Sequence, residues 1–287
     1  MTTPTTGLGP GVHNIPADAY HADPVDGGSL SSTGARKLLP PSCPALFQHW
    51  REHGDEPRKA WDIGHAAHAL VLGTGPELVL VDRDRWDTKA VKEELAEIRE
   101  RGAVPLKRGD WDQVHGMAAA LRAHPIAAAL LRPDAGRAEQ TLVWRDTDTG
   151  VMCRARLDWL PAPRQGRLIV PDYKTARSAA PDDLSKALYD HGYYLQAAWY
   201  LAGVRALELA AKPSFVFIAQ MKERPWLVTV AEADPTAMAI GAHEARMARM
   251  TYAECTASGR WPGWTDDVAL ISLPPWVERR YEMELSR

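Results

Sequence analysis

The sequence predicts an α+β or α/β fold, with helices first and then a sheet on which further helices pack. Three observations predict it. Up to about residue 131 the apolar positions recur at helical spacing. From residue 139 the period becomes that of strands, bounded by Asp, Gly and Pro turns. After residue 181 helical and strand-like segments alternate.

The first 28 residues are rich in Gly, Pro and Thr and read as an extended arm; residues 29–287 read as a single domain. Ser29-Leu-Ser-Ser-Thr33 offers helix caps before Ala35–Leu39, and a second short helix covers Cys43–His53. Trp61–Leu72 reads as a buried helix ended by Gly73. Thr88–Arg101 reads as an exposed helix with Glu/Lys pairing, and Asp110–Leu131 as one or two helices interrupted at Pro125. Strands are expected at Glu139–Trp144, Val151–Leu160 and Arg167–Lys174, with turns at 146–150 and 161–166. Helices follow at Pro181–Leu188 and Gly192–Leu207, strands at Ser214–Gln220 and Trp226–Val230, and a long helix at Pro235–Ser258. The tail carries Trp261, Trp264 and Trp276 among prolines and is expected to pack over the body.

Composition narrows the function classes. With 45% hydrophobic and 25% charged residues, the chain has the balance of a globular protein. No run of about 18 apolar residues is present, so no membrane helix is expected. The N-terminus lacks a secretory pattern, and a reducing cytoplasm is the default. Cys43, Cys153 and Cys255 are odd in number and far apart, against a disulfide framework, a zinc finger or a four-cysteine cluster. A net charge of −3 excludes a generic polyanion binder. The charge is uneven, however. Between Val151 and Ala180 stand six basic residues (Arg154, Arg156, Arg164, Arg167, Lys174, Arg177) against Asp158 and Asp172. That excess suits either a focused anionic ligand or a solvated hairpin face.

The chemistry concentrates in one constellation. Asp172 and Lys174 are two apart, so on a strand they project from one face. Asp158 interrupts an apolar strand, where an acid is costly unless it is paired or binds a cation. Two carboxylates brought together repel, and a divalent ion relieves the repulsion; oxygen ligands of this kind suit Mg²⁺, with Mn²⁺ as a substitute. Lysine can then orient a water or neutralise developing charge. A simple hairpin about the 161–166 turn would set Asp158 opposite Ile169, leaving Asp172 ~10 Å further on. Pro171 cannot donate to a ladder, so a bend there is expected to bring the acids together.

Glu139 could supply a third carboxylate. Tyr193, Gln196 and Tyr200 share one helical face, open between core packing and facing the site; the Gln196 amide, between Leu195 and Ala197, needs a polar partner. His65 and His68 are three apart on an apolar helix, not the spacing of a zincin pair, and read as core histidines.

Gly-x-x-x-His in a helix, Arg-x-Asp, Asp-x-Lys-Thr and Tyr-x-x-Gln-x-x-x-Tyr, in this order, resemble the RecE-type branch of PD-(D/E)xK nucleases. These are phage and prophage exonucleases related to exodeoxyribonuclease VIII. Tyr20-His21 and Ser29-Leu-Ser-Ser32 are similar to the start of that branch, so the likeness runs from roughly 15 to 278. It implies a restriction-endonuclease-like core, a central mixed sheet flanked by helices. It implies that His68, Asp158 and Asp172 hold or surround the metal and that Asp172 and Lys174 are the Asp-x-Lys pair. Glu139 matches an acid found before the motif strands, and Gln196 with Tyr193 would touch nucleic acid. His65 keeps its core reading. The signature's first acid is then Asp158, not the Asp172 of Pro171-Asp172. Arg154, Arg156 and Arg177 are the candidate phosphate contacts.

The function so implied is a metal-dependent exodeoxyribonuclease acting on double-stranded DNA ends. It would run 5′ to 3′ and leave 3′ single strands for a RecT-like annealing partner. A homo-oligomeric ring, basic only on its inner face, would reconcile DNA binding with the net charge. The rivals are an endonuclease or a CRISPR- or repair-associated nuclease of the same superfamily, and a catalytically silent DNA-binding module.

Overall fold

The protein is described by a computed structural model covering residues 7–54, 63–163 and 167–285. Trp61 and Arg164 lie outside the described residues.

The N-terminal segment forms β1 (Gly11–His13), α1 (Ala17–His21) and β2 (Leu30–Ser31). α2 (Ser32–Leu38) begins where the Ser31 hydroxyl accepts the Gly34 N–H. α3 (Pro44–His53) and α4 (Ile63–Leu72) follow, then β3 (Leu78–Leu80) and α5 (Lys89–Glu100), which Thr88 caps. β4 (Val104–Leu106), α6 (Arg108–Ala123) and α7 (Pro125–Leu130) complete this half, with Pro125 opening α7 as its ring geometry favours. The second half runs β5 (Gly136–Arg145), β6 (Met152–Pro161), β7 (Ile169–Ala176), α8 (Pro181–Asp190), α9 (Tyr193–Ala206), β8 (Ser214–Met221), β9 (Val228–Ala231), α10 (Pro235–Ser258) and α11 (Pro275–Leu285).

The strands form two main sheets. One has the order β1-β5-β6-β2, with β5 and β6 antiparallel; the other is β7-β8-β9, in which β7 and β8 run parallel. β3 and β4 make a separate parallel pair. Two cores meet at β7. Val170 packs into the first, with Trp199 of α9, Trp144 of β5 and Phe47 of α3. Tyr173, on the opposite face, packs into the second with Met117 of α6, Ala66 and Ala67 of α4 and Ile218 of β8.

The expected β6–β7 hairpin is corrected here. Among the described residues β7 pairs with β8, and no ladder joins it to β6. The Tyr173 N–H is accepted instead by the Asp158 carboxylate at 2.8 Å. Pro171, two residues back on the same edge, has no N–H to offer. Asp158 therefore meets Tyr173 rather than Ile169, and the two acids approach across a seam between sheets.

The tail also departs from expectation. Trp261 does pack, against Phe47 and Tyr252, and the Trp264 indole donates to the Pro41 carbonyl. Beyond them Val268, Leu270 and Ile271 are exposed, as is Trp276 on α11. Val268, Leu270 and Ile271 belong to no helix or strand among the described residues.

Candidate active site

Five elements deliver the site. β5 and β6 are in register, with Ala138 opposite Trp159 and Gln140 opposite Leu157, so Glu139 and Asp158 face each other across the pair. Glu139 has φ of 56°, in the left-handed region. A non-glycine residue there costs roughly 1–2 kcal/mol, a strain typical of functional positions. α4 brings His68 between the two acids. Its Nδ1 is 3.4 Å from Glu139 Oε1 and its Nε2 is 3.2 Å from Asp158 Oδ2. One ligand atom from each of His68, Glu139 and Asp158 lies within 4.8 Å of the other two.

β7 contributes Asp172 and Lys174 from one face, as the two-residue period requires. Lys174 Nζ lies 2.6 Å from Asp172 Oδ2, and its charge sits 5.2 Å over the Tyr193 ring. Asp172 is 1% exposed, and its Oδ2, though in ion-pair contact, has no aligned hydrogen-bond donor. Its Oδ1 accepts from Gln196 Nε2 at 3.2 Å, so the amide in the apolar α9 finds the partner it needs. Asp172 stands outside the His68–Glu139–Asp158 trio; its carboxylate turns to Lys174 and Gln196.

The electrostatics follow from burial against charge. Burial works to lower the His68 pKa, but the neighbouring Asp158 and Glu139 outweigh it and the net shift is upward. Burial would raise Asp158, yet the His68 charge, their hydrogen bond, Lys174 and the Tyr173 N–H hold it below its usual value. For Asp172 burial prevails, and the nearby Asp158 adds to it, pushing the carboxyl up to about 7 against the pull of Lys174. Lys174 is raised: burial opposes its charge, but Asp172 and Asp158 more than compensate. Shifted groups gathered around one point make this a candidate functional site.

Whether a divalent ion fits is tested by the donors. One imidazole and two facing carboxylates offer ligand atoms within 4.8 Å of one another, and the buried Asp172 carboxylate, ion-paired with Lys174, lies beside them. Anionic surroundings of this kind, with one imidazole, suit a divalent cation. The residues present fit the ion.

Other candidates sort differently. Arg154 is buried; it donates to the Ser29 carbonyl and hydroxyl and pairs with Asp23 Oδ2 at 2.8 Å. It closes the 23–29 loop and offers nothing to a phosphate. Arg156 donates to Glu139 through Nε and to the Ile15 carbonyl through Nη1 at 2.7 Å. Both arginines share the Asp158 face of β6, but the N-terminal segment covers that face, so neither is a free DNA contact. Arg177 is exposed just beyond β7. Tyr200 is buried, its ring edge-on to Phe215, and takes the packing alternative. His65 is exposed on α4, not a core histidine.

Sequence reasoning missed the supports. Arg156 orients Glu139. Tyr173 donates its backbone N–H to Asp158, while its hydroxyl donates to Gln220 Oε1 at 2.6 Å; the fully buried Gln220 in turn bonds the Met117 carbonyl. The one available signal was Gln220 itself, a polar residue ending an apolar strand.

Comparison with known families finds a model described as a PDDEXK-like domain of unknown function (DUF3799) matching residues 32–274. A crystal structure of a protein from Eubacterium rectale, described as an inferred exonuclease, is similar over 93% of this chain and 98% of its own, with a TM-score of 0.60 and 12% identity. At that identity the likeness speaks for the fold: mixed sheets flanked by helices, as in restriction endonucleases. A comparison with curated proteins finds no match.

Proposed function

The chain belongs to the PDDEXK-like DUF3799 family, and from that premise we propose a divalent-metal-dependent exodeoxyribonuclease acting on linear double-stranded DNA. The observation that carries this reading is the convergence of His68, Glu139 and Asp158 beside the Asp172–Lys174 pair. His68, Asp158 and Asp172, with Glu139, would hold Mg²⁺, which Mn²⁺ can replace. When bound, the ion supplies a water of lowered pKa and charge for a phosphorane-like transition state.

The chain's own groups do the rest. Lys174, kept protonated, orients the nucleophilic water and balances charge that develops on the phosphate. Gln196 fixes the Asp172 carboxylate, and the Tyr173 N–H fixes that of Asp158. Tyr193 borders the site under Lys174, and it and the exposed Arg177 beyond β7 would contact the strand. The resemblance to RecE-type enzymes supports a 5′-to-3′ direction, a 3′ single-stranded product, a RecT-like annealing partner and a ring assembly. Among the described residues no helix is long and apolar enough to cross a membrane.

The test is digestion of linear and of covalently closed duplex in Mg²⁺. The exonuclease consumes only the linear form, and Asp172→Ala or Lys174→Ala stops it. Cutting of the closed circle would point to an endonuclease. DNA binding without cleavage in either metal would point to a silent binding module.

A further inference from the structure

The corner between α8 and α9 carries aromatic rings that the fold does not use. Tyr189 is 75% exposed, and α8 has no buried residue, so the ring is not core packing. It lies parallel to the Tyr194 ring within 4°, with centroids 6.5 Å apart, and Tyr194 is anchored through its hydroxyl to Glu244. Two residues on, the exposed His191 ring sits 5.1 Å from that of Tyr193. Tyr193 is the ring under Lys174 Nζ. The His191–Tyr193 pair therefore leads from Lys174 outward to solvent, and the Tyr189–Tyr194 pair stands on the same α8–α9 corner.

A positive charge accompanies it. Arg36 donates to the carbonyls of His191 at 2.8 Å and of Asp190 at 2.5 Å. Its stem lies against Gly192, where an added Cβ would come within 2.9 Å of the Arg36 Cδ. These partners are neutral carbonyls, and the Asp190 carboxylate is taken by Lys186. Among the described residues Arg36 pairs with no acid, so its charge stays available to an anion. Exposed rings beside an uncompensated guanidinium recognise a nucleotide: the base stacks and the phosphate is attracted.

We propose that Tyr189, His191 and Tyr193, with Arg36, form a stacking subsite for unpaired nucleobases next to Lys174. The strand entering the site is single-stranded there, so an overhang or a frayed end is the preferred substrate. The subsite rests on the nuclease reading above, and the experiment separates the two.

Full-length protein in EDTA, where no cleavage occurs, is titrated with a single-stranded oligonucleotide bearing 2-aminopurine near its end. Anisotropy reads affinity, and 2-aminopurine quenching reads stacking. Tyr189→Ala and His191→Ala are expected to weaken binding about 5- to 100-fold and to remove the quenching, while Tyr189→Phe retains both. Unchanged affinity and quenching in both alanine variants would overturn the subsite, as would Tyr189→Phe falling as far as Tyr189→Ala. If the native protein neither binds the strand nor digests DNA in Mg²⁺, it is the nuclease reading that falls.

Discussion

Replacing Arg156 by Met separates two roles for a charged residue on the catalytic strand. Arg156 donates to the Glu139 carboxylate and to the Ile15 carbonyl, and both members of the ion pair are mostly shielded, at 15% and 21% side-chain exposure. Methionine keeps the packing of the stem and removes both bonds. Charge-assisted hydrogen bonds are worth roughly 1.5–3 kcal/mol each, and partial exposure with water recapture at Ile15 brings the expected loss to about 2 kcal/mol. For a chain of 287 residues that lowers Tm by about 3 °C in EDTA. By linkage the loss should grow in Mg²⁺, because the native protein gains more stability from the ion than a variant that binds it less tightly. Loss of an outer partner typically weakens metal affinity about 10- to 100-fold, and the same is expected here. DNA affinity should keep its salt dependence, because no phosphate contact is removed. The assays are thermal unfolding with and without metal, and anisotropy across a salt series. A Tm within about 1 °C of native, together with a salt slope shallower by about 0.9, would refute the positioning role and make Arg156 a phosphate contact.

Other outcomes follow from the same geometry. Lys174→Ala should reduce cleavage by about 10²-fold or more while the far-UV spectrum is unchanged, since the ammonium stabilises developing charge; cleavage at the native rate would exclude that role. Metal affinity should rise with pH through about 7: His68 and Asp172 both hold their protons above their usual pKa values, and ligands must be deprotonated to bind. Calorimetry at pH 7 in buffers of differing ionisation heat should then show proton release, and buffer-independent heats would contradict it. Gly241→Ala should destabilise by about 2–3 kcal/mol in urea unfolding, because its Cβ would lie 2.3 Å from the Tyr194 carbonyl where α10 crosses α9. Deleting everything after Pro274 should leave Tm within about 1 °C, as residues 275, 276 and 278–282 are exposed.

Much of this was legible where one element carries its own signal. The α10 segment, with an Asp cap, Pro at its first position and Gly at its end, is bounded as the sequence indicates. Asp172 and Lys174 share a face because a strand has a period of two. Gln196 demanded a partner and found Asp172. What was hidden depends on distant chain. β1 to β4 have two or three residues each, too few for a period to register. The pairing of β7 with β8 instead of β6 is decided by an edge, not by alternation. Arg154 and Arg156 look like surface charge until the N-terminal segment is laid across them. The left-handed backbone at Glu139 has no local mark at all, since no glycine or asparagine announces it.

The most direct measurement is a timed digest of linear duplex labelled at one end, in Mg²⁺, comparing native protein with Asp158→Asn. Progressive loss of the 5′ label as mononucleotides, with the 3′-labelled strand outlasting it and the variant inert, is the expected result. Intact DNA with the native protein in both Mg²⁺ and Mn²⁺, or equal digestion by Asp158→Asn, would contradict a nuclease centred on this site.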